Sequence, residues 1–163
     1  MDPCVESYPP EVRAHSALHV VKGAVVRVLG EGARWTASTY VSGRHARLTV
    51  KFDRKPSPDE VRAIEELANR KAAEGLIFET VTMPREEAER IYGDEIYDLF
   101  PVPSHVRELT IVIVRDVDGG VWNINACSKQ HVHSSRCIGR IRIGKVRFRR
   151  SKQLLEIPFD VEP

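Results

Sequence analysis

Apolar positions in the first third of the chain predict a long helix followed by a β-hairpin. The run over 11–29 begins after Pro9 and Pro10 and ends at Gly30, residue types that favour helix starts and stops. Its apolar residues recur at helical spacing and so form one stripe that faces a core: Val12, Leu18, Val21, Val25 and Val28. Over 35–52 the residues become β-branched and aromatic with a break at 42–44, which predicts the two strands of a hairpin.

The remainder of the chain mixes two further helices with a series of strands. A capping box at 57–60 predicts a helix that ends at Glu74, and Pro84 begins a short acidic helix that ends near Gly93. Strands are predicted over 76–82, 109–115, 121–126, 138–149 and 154–161, with a turn at 118–120. Because the last strands follow one another without crossover helices, we expect an α+β fold with a largely antiparallel sheet.

Length and composition indicate one domain over 1–163, in which residues 1–8 form a flexible tail. The chain has 163 residues, of which 42% are hydrophobic and 29% charged, and this is too apolar for disorder. No apolar run approaches the ~18 residues of a membrane span, and the N-terminus lacks a signal-peptide pattern, so we expect no membrane partner and a cytoplasmic location. Three cysteines are too few for a disulfide framework, and the cytosol would keep most thiols reduced. Monomer and dimer both stay open.

Four residues from opposite ends of the chain form a candidate metal site. His15 and His19 are four apart in the predicted helix and so share one face, with Cβ atoms ~6 Å apart. Cys127 and His131 add a thiolate and a third imidazole, the donors that zinc prefers. The alternative for the histidine pair is a helix face that is solvated or satisfied by its neighbours. Because three nitrogens and one sulfur suit tetrahedral zinc, we expect a bound Zn²⁺. A site assembled across the whole fold is more often an active site than a structural clip.

The histidine motif on the helix differs from that of zinc peptidases, because Ser16 stands where they carry a glutamate base. The ion itself must then do more of the chemistry, by polarising a carbonyl or by lowering the pKa of a water to ~7. Such chemistry needs a vacant coordination position. We therefore expect His131 to be loosely bound or to act as a base beside the ion.

Six segments of the chain resemble the freestanding alanyl-tRNA editing proteins known as AlaX. They are RAHSALHVVKGAVVRVLG at 13–30, WTASTYV at 35–41, VKFDRKPS at 50–57, YDLFPVP at 97–103, NACSKQH at 125–131 and KVRFRRSKQLLEI at 145–157. The distant HxxxH and CxxxH pairs are specific for this superfamily, and YDLFPVP is typical of its short form. Since these proteins are related to the editing domains of alanyl- and threonyl-tRNA synthetases, the resemblance implies the α+β fold of a class II synthetase editing domain.

The resemblance also implies an activity, which is the zinc-dependent removal of serine, and sometimes glycine, from mischarged tRNA(Ala). The family's metal ligands, which serve catalysis, fall on His15, His19, Cys127 and His131. The threonine that recognises the serine hydroxyl falls on Thr36, which without the family would be taken for an ordinary strand threonine. A second hydrolytic site is useful because an alanine pocket rejects serine poorly.

Arginines alternate with apolar residues over 138–149, which predicts a strand with a basic outer face. These arginines are Arg140, Arg142, Arg147 and Arg149. Such a row suits phosphates, although a merely solvated strand face has the same pattern, and beside an editing site we favour contact with tRNA. Lys22, on the same helical face as His15, is a candidate for contact with the acceptor end or an ordinary surface lysine.

The loop after His131 departs from the family pattern at Arg136 and Cys137, where relatives usually carry an acidic residue and glycine-type spacing. We expect Cys137 to be a buried apolar residue; a third thiol near the metal and a substitute without function are the alternatives. We expect His133 to be exposed. Two other functions stay open, namely a non-catalytic RNA-binding module with a structural zinc and a zinc hydrolase for a small ester or amide.

Overall fold

The structure, a computed structural model, describes residues 2–163. Its helices are α1 (Pro10–Leu29), α2 (Pro58–Glu74) and α3 (Arg85–Tyr92). Its strands are β1 (Thr36–Ser42), β2 (His45–Lys51), β3 (Ile77–Pro84), β4 (Glu108–Arg115), β5 (Val121–Ala126), β6 (Arg140–Ile143), β7 (Arg147–Arg149) and β8 (Leu154–Glu162). Short 3-10 helices cover Pro3–Ser7, Glu31–Ala33 and Ser135–Cys137.

Each predicted helix forms, and its ends follow the signals in the sequence. At the start of α2, the Ser57 hydroxyl accepts a hydrogen bond from the Glu60 N–H, while the Glu60 carboxylate accepts one from the Ser57 N–H. Helices α1 and α2 end at Gly30 and Gly75, whose φ angles of 94° and 96° favour glycine. None of the helices described here combines the length and apolar character that crossing a bilayer requires.

The strands form two antiparallel sheets. In the larger sheet the order is β1-β2-β8-β6, and β7 pairs with β8 along the same edge as β6. In the smaller sheet the order is β3-β4-β5. Helices α1 and α2 pack on the buried face of the larger sheet, and α3 packs on the smaller one. This arrangement confirms the α+β class and the antiparallel pairing.

The single strand predicted over 138–149 is wrong, because the structure divides it into β6 and β7. Positions 143 to 147 lie opposite positions 159 to 156 of β8, so one side of the ladder has an extra residue. Pro158 lies at this break. It accepts a hydrogen bond from the Gly144 N–H at 2.9 Å but has no N–H to donate in return. The proline therefore interrupts the ladder.

Helix α1 meets the smaller sheet at a close contact between Gly23 and Trp122. A side chain at Gly23 would overlap the Trp122 indole, whose Nε1 donates to the Val20 carbonyl at 3.0 Å. The Arg27 guanidinium stacks over the same ring, 3.8 Å from its centre. This contact fixes β5 against α1, and with it the separation between the histidines of α1 and Cys127 at the end of β5.

A disulfide joins the N-terminal segment to the loop after His131, which corrects the expectation that the cysteines stay reduced. Cys4 and Cys137 are bonded across a sequence separation of 133, and Cys127 is the free cysteine. The segment expected to be a flexible tail contains the 3-10 helix Pro3–Ser7, which this bond holds against the 3-10 helix Ser135–Cys137. Met1, the first residue of that segment, lies outside the described residues.

Candidate metal centre

Helix α1, strand β5 and the loop after β5 bring the four predicted ligands together. His15 and His19 lie one turn apart on α1, with ring centres 5.5 Å apart. Cys127 directly follows β5, and His131 lies four residues further along. One donor atom from each of the four residues lies within 4.8 Å of the other three. The group predicted from the sequence is therefore assembled in the structure.

The separations of the donor atoms fit one tetrahedral metal ion. His15 Nε2 is 3.2 Å from Cys127 Sγ. His131 Nε2 is 3.1 Å from His19 Nε2 and 3.7 Å from Cys127 Sγ. Zinc bonds of ~2.05 Å to nitrogen and ~2.3 Å to sulfur would place tetrahedral ligand atoms about 3.3 to 3.6 Å apart. Because these three distances lie close to that range and all four donor atoms lie within 4.8 Å of one another, this set of three imidazoles and one thiolate is compatible with Zn²⁺.

Burial keeps the imidazoles of this cluster neutral. Desolvation, followed by the nearby Lys129 ammonium, lowers the pKa of His15 to about 4. Desolvation also lowers the pKa of His131 to about 4 and holds the pKa of His19 well below its usual range. Burial raises the pKa of the Cys127 thiol. At pH 7 the three rings therefore keep a lone pair for a metal ion, and an ion that binds here displaces the thiol proton.

Ser16 fastens the ligand loop to α1. Its buried hydroxyl donates to the Val12 carbonyl at 2.7 Å and accepts from the Val132 N–H at 2.9 Å. Because Val132 directly follows His131, this hydrogen bond sets the position of the third imidazole along α1. The residue that replaces the glutamate of the peptidase motif is thus a structural anchor.

Asn123 and Phe78 orient two of the rings. Asn123 Nδ2 lies 3.2 Å from His19 Nδ1, so that the Nε2 atom of this ring faces the cluster. Phe78 stacks on His131 with ring centres 5.9 Å apart and planes 20° apart. Neither residue was predicted from the sequence, because no local pattern relates β5 to α1 or β3 to the loop that carries His131.

A small cavity of about 70 Å³ opens beside the cluster. All of the predicted ligands except His131 line one part of it. Another part carries polar and charged groups, contributed by Lys22, Thr36 and Asp98. This volume suits a small side chain and is well below the ~300 Å³ at which pockets for drug-sized ligands begin.

Lys22 and Thr36, for which the sequence predicted separate roles, meet in this cavity. Thr36 begins β1 and is buried, and the Lys22 ammonium donates to its Oγ1 at 2.7 Å. Desolvation lowers the pKa of Lys22 to about 8, and the Asp98 carboxylate opposes that shift. Desolvation raises the pKa of Asp98, and Lys22 opposes that shift in turn. The cavity thus contains an ammonium and a carboxylate beside a buried hydroxyl.

The predicted basic row lies apart from this cavity. Ile141 is buried in the core beneath the larger sheet, so Arg140 and Arg142 point to the opposite face, away from α1. Arg142 and Arg149 pair with carboxylates of β8 at 2.7 and 2.9 Å. Within residues 2–163, Arg140 and Arg147 form no ion pair. The row is therefore exposed and partly neutralised by acidic neighbours.

The positions that depart from the family pattern have structural partners. Arg136 donates to two carbonyls in the last turn of α2, at 3.2 and 3.3 Å. Cys137 is buried as predicted, but it forms the cross-link to Cys4 and is not a third thiol near the metal ligands. His133 is exposed as predicted, and its Nδ1 lies 2.7 Å from the Tyr8 hydroxyl.

Fold and site together define an antiparallel α+β structure with a His/His/Cys/His group able to hold one metal ion. The chain is homologous to a segment of alanine–tRNA ligases. It is 40% identical over 131 residues to the ligase of Methanopyrus kandleri, 36% over 132 to that of Pyrococcus abyssi and 38% over 131 to that of Methanothrix thermoacetophila. These matches cover 80 or 81% of this chain but only 13 or 14% of the ligases. No family model matches the chain.

Proposed function

We propose that this protein is a zinc-dependent hydrolase that removes serine from mischarged tRNA(Ala) in the cytoplasm. It would act in trans as a freestanding editing protein of the short AlaX type, with Gly-tRNA(Ala) as a second substrate. The observation that carries this proposal is the His/His/Cys/His cluster beside a cavity of about 70 Å³, in a chain homologous to alanine–tRNA ligases. The homology supports tRNA(Ala) as the partner, and the size of the cavity supports a small acyl group.

The four clustered side chains would hold the ion: His15, His19, Cys127 and His131. Bound Zn²⁺ would supply a Lewis acid that polarises an ester carbonyl and makes a water acidic enough to attack near neutral pH. Because this chemistry needs a coordination position open to the cavity, the four residues would not all bind the ion tightly throughout the reaction. Because His131 does not line the cavity, its proposed role is to hold the ion from the far side, not to act as a base toward the substrate. Hydrolysis of the ester bond would release serine and uncharged tRNA.

Thr36 is the proposed selector for serine. Since Lys22 donates to Thr36 Oγ1, the hydroxyl hydrogen of Thr36 stays free for another acceptor, and a serine hydroxyl can serve as one. An alanine side chain would leave this buried group without that acceptor, which costs about 1 to 3 kcal/mol. Discrimination against alanine would follow from this unpaired hydroxyl, whereas glycine, which has no side chain, leaves room for a water to accept from it.

The basic row is the proposed contact for tRNA phosphates, and it consists of Arg140, Arg142, Arg147 and Arg149. Because these residues lie on the face of the larger sheet away from α1, they would contact a part of the tRNA other than its acylated end. Lys22 would meet the acceptor end instead, since it lies in the cavity. Release of counterions by the arginines would make binding weaken as salt is raised.

Metal removal tests the proposed function directly. Zinc-loaded protein is expected to deacylate Ser-tRNA(Ala) and to spare Ala-tRNA(Ala), while a chelator abolishes the activity and added zinc restores it. The measurement is the release of labelled amino acid, with circular dichroism to follow the fold. Full activity of the chelated protein would show that the proposal is wrong.

The same experiment distinguishes the proposed hydrolase from a second candidate function. Because all four donor atoms lie close enough to bind one ion at once, the cluster also fits a structural zinc in a non-catalytic RNA-binding module. Unfolding upon chelation, together with the absence of deacylation by the zinc-loaded protein, would favour that module.

Thr36→Val is expected to lower the rate on Ser-tRNA(Ala) about 10- to 100-fold and the rate on Gly-tRNA(Ala) much less. Valine keeps the shape of threonine but offers no hydroxyl to serine, whereas a glycyl ester has no hydroxyl to recognise. Steady-state kcat/KM on both substrates measures the difference. Thr39→Val is the matched control, since Thr39 also lines the cavity but is exposed. An equal loss on both substrates would count against Thr36 as the selector.

A further inference from the structure

The Asp98 carboxylate is held in the metal cavity by the segment that carries it. The Leu99 N–H donates to the Thr36 carbonyl at 2.8 Å, and the Ile96 carbonyl accepts from the Ala126 N–H at 2.8 Å. The segment is therefore tied to the start of β1 on one side and to the end of β5 on the other. These two strand ends are also where Thr36 and the metal ligand Cys127 lie.

This carboxylate is largely without a partner. Among the described residues, the one hydrogen bond that its side chain accepts comes from Asn125 Nδ2, at a long 3.4 Å. The Lys22 ammonium on α1, whose charge acts on Asp98, donates its hydrogen bond to Thr36 instead. Asp98 is the only acidic residue in the described wall of the cavity. A half-buried carboxylate in this situation is stabilised by a cation that enters the cavity.

Asp98 lies between the two ends of the cavity, because its segment is hydrogen-bonded to Thr36 on one side and to Ala126, the neighbour of Cys127, on the other. It lines the same cavity as Thr36 and Cys127. An α-amino acid ester carries its carbonyl, its side chain and its ammonium on one α-carbon. An ester with its carbonyl at the cluster and its side chain at Thr36 therefore has its α-carbon between these two ends, and its ammonium projects from that carbon into the same small cavity.

We propose that Asp98 binds the α-ammonium group of the substrate. The substrate class is then esters of amino acids with a free amino group, to the exclusion of esters whose α-nitrogen is acylated or replaced. This inference rests on the proposed function for the position of the ester. It assigns to Asp98 a role in substrate binding that is separate from metal binding.

A double comparison of enzyme and substrate tests the inference. The zinc-loaded wild type and Asp98→Asn are each assayed on Ser-tRNA(Ala) and on the same tRNA esterified with glyceric acid, in which a hydroxyl replaces the ammonium. Asp98→Asn is expected to lose about 100-fold in kcat/KM on the seryl ester and less than about 3-fold on the glyceryl ester. The comparison cancels the greater intrinsic reactivity of the seryl ester, because that reactivity is the same for both enzymes.

Equal losses on the two esters would overturn the inference, since a structural defect lowers both. Asp94→Asn is the matched control, because Asp94 pairs with Arg34 outside this cavity and its side chain is 63% exposed. Zinc content and melting temperature, measured for each variant, verify that the site and the fold are intact.

A binding measurement on the wild type keeps the test valid even if Asp98→Asn does not fold. The probes are adenosine derivatives that carry a seryl or a glyceryl group through a non-hydrolysable 3′-amide. The seryl amide is expected to bind the zinc-loaded protein about 100-fold more tightly by calorimetry, and equal affinities would overturn the inference. If the wild type hydrolyses no aminoacyl-tRNA but prefers the seryl amide, the proposed function fails and the assignment of Asp98 stands. If hydrolysis occurs without that preference, the proposed function stands and the assignment of Asp98 fails.

Discussion

Cys127→Ala is expected to lower the rate of Ser-tRNA(Ala) deacylation by at least about 1,000-fold. Cys127 is the sulfur donor of the cluster, lies 3.2 Å from His15 Nε2 and lines the cavity. Alanine removes one of four ligands and the negative charge that a thiolate contributes. Lewis-acid catalysis by a metal lowers the activation barrier by several kcal/mol. Loss of the ion therefore lowers the rate by a factor of about 10³ or more.

The fold of this variant should survive, because other contacts hold the surrounding elements together. Trp122 closes on Gly23 between β5 and α1, and Ser16 binds the ligand loop through Val132. The melting temperature of Cys127→Ala should therefore match that of chelated wild-type protein. Ser128→Ala, at the exposed neighbouring position, is the control and should keep full activity. A Cys127→Ala protein that retains full activity would rule out a catalytic metal at this cluster.

Much of the fold could be predicted because its signals are local. The capping box at Ser57 and the glycines that end α1 and α2 act within one turn of a helix, and the structure contains all of them. The spacing of His15 and His19 works in the same way, since residues four apart on a helix share a face. Cys127 and His131 form the second such pair, which lies in a loop. The donor types of the two pairs already suited one shared metal ion, and the resemblance to a known family strengthened the expectation that the pairs meet.

The contents of the cavity could not be predicted, because they depend on how distant elements pack. Lys22 looked like a surface residue or a tRNA contact, yet α1 crosses the start of β1 so that its ammonium reaches Thr36. Asp98 lies in a segment without regular structure, and only its hydrogen bonds to two strand ends place it there. A sequence pattern encodes the periodicity of one helix or strand, whereas these contacts depend on how two or three such elements are placed relative to one another.

Reduction of the Cys4–Cys137 disulfide is expected to destabilise the protein by about 5 kcal/mol at 25 °C. The bond closes a loop with a sequence separation of 133, and cross-linking a loop of that length removes much conformational entropy from the unfolded chain. For a chain of this size, the loss corresponds to a fall in melting temperature of about 10 to 20 °C. Three cysteines in a chain expected in the cytoplasm predicted no disulfide, and no local pattern relates two residues 133 positions apart.

The effect should fall on stability far more than on the metal cluster. Ser16 still binds Val132, and Arg13 still donates to the Ile138 carbonyl at 3.0 Å, so the ligand loop keeps two anchors on α1 without the disulfide. Melting is to be compared with and without a phosphine reductant for the wild type and for Cys4→Ser, which replaces the more accessible of the two cysteines. The reductant should lower the melting temperature of the wild type to that of Cys4→Ser and leave the variant unchanged. A wild-type melting temperature that moves by less than about 2 °C would show that the cross-link contributes little to folding. Zinc content, measured in the same samples, should stay constant because the anchors from α1 hold His131 in the cluster.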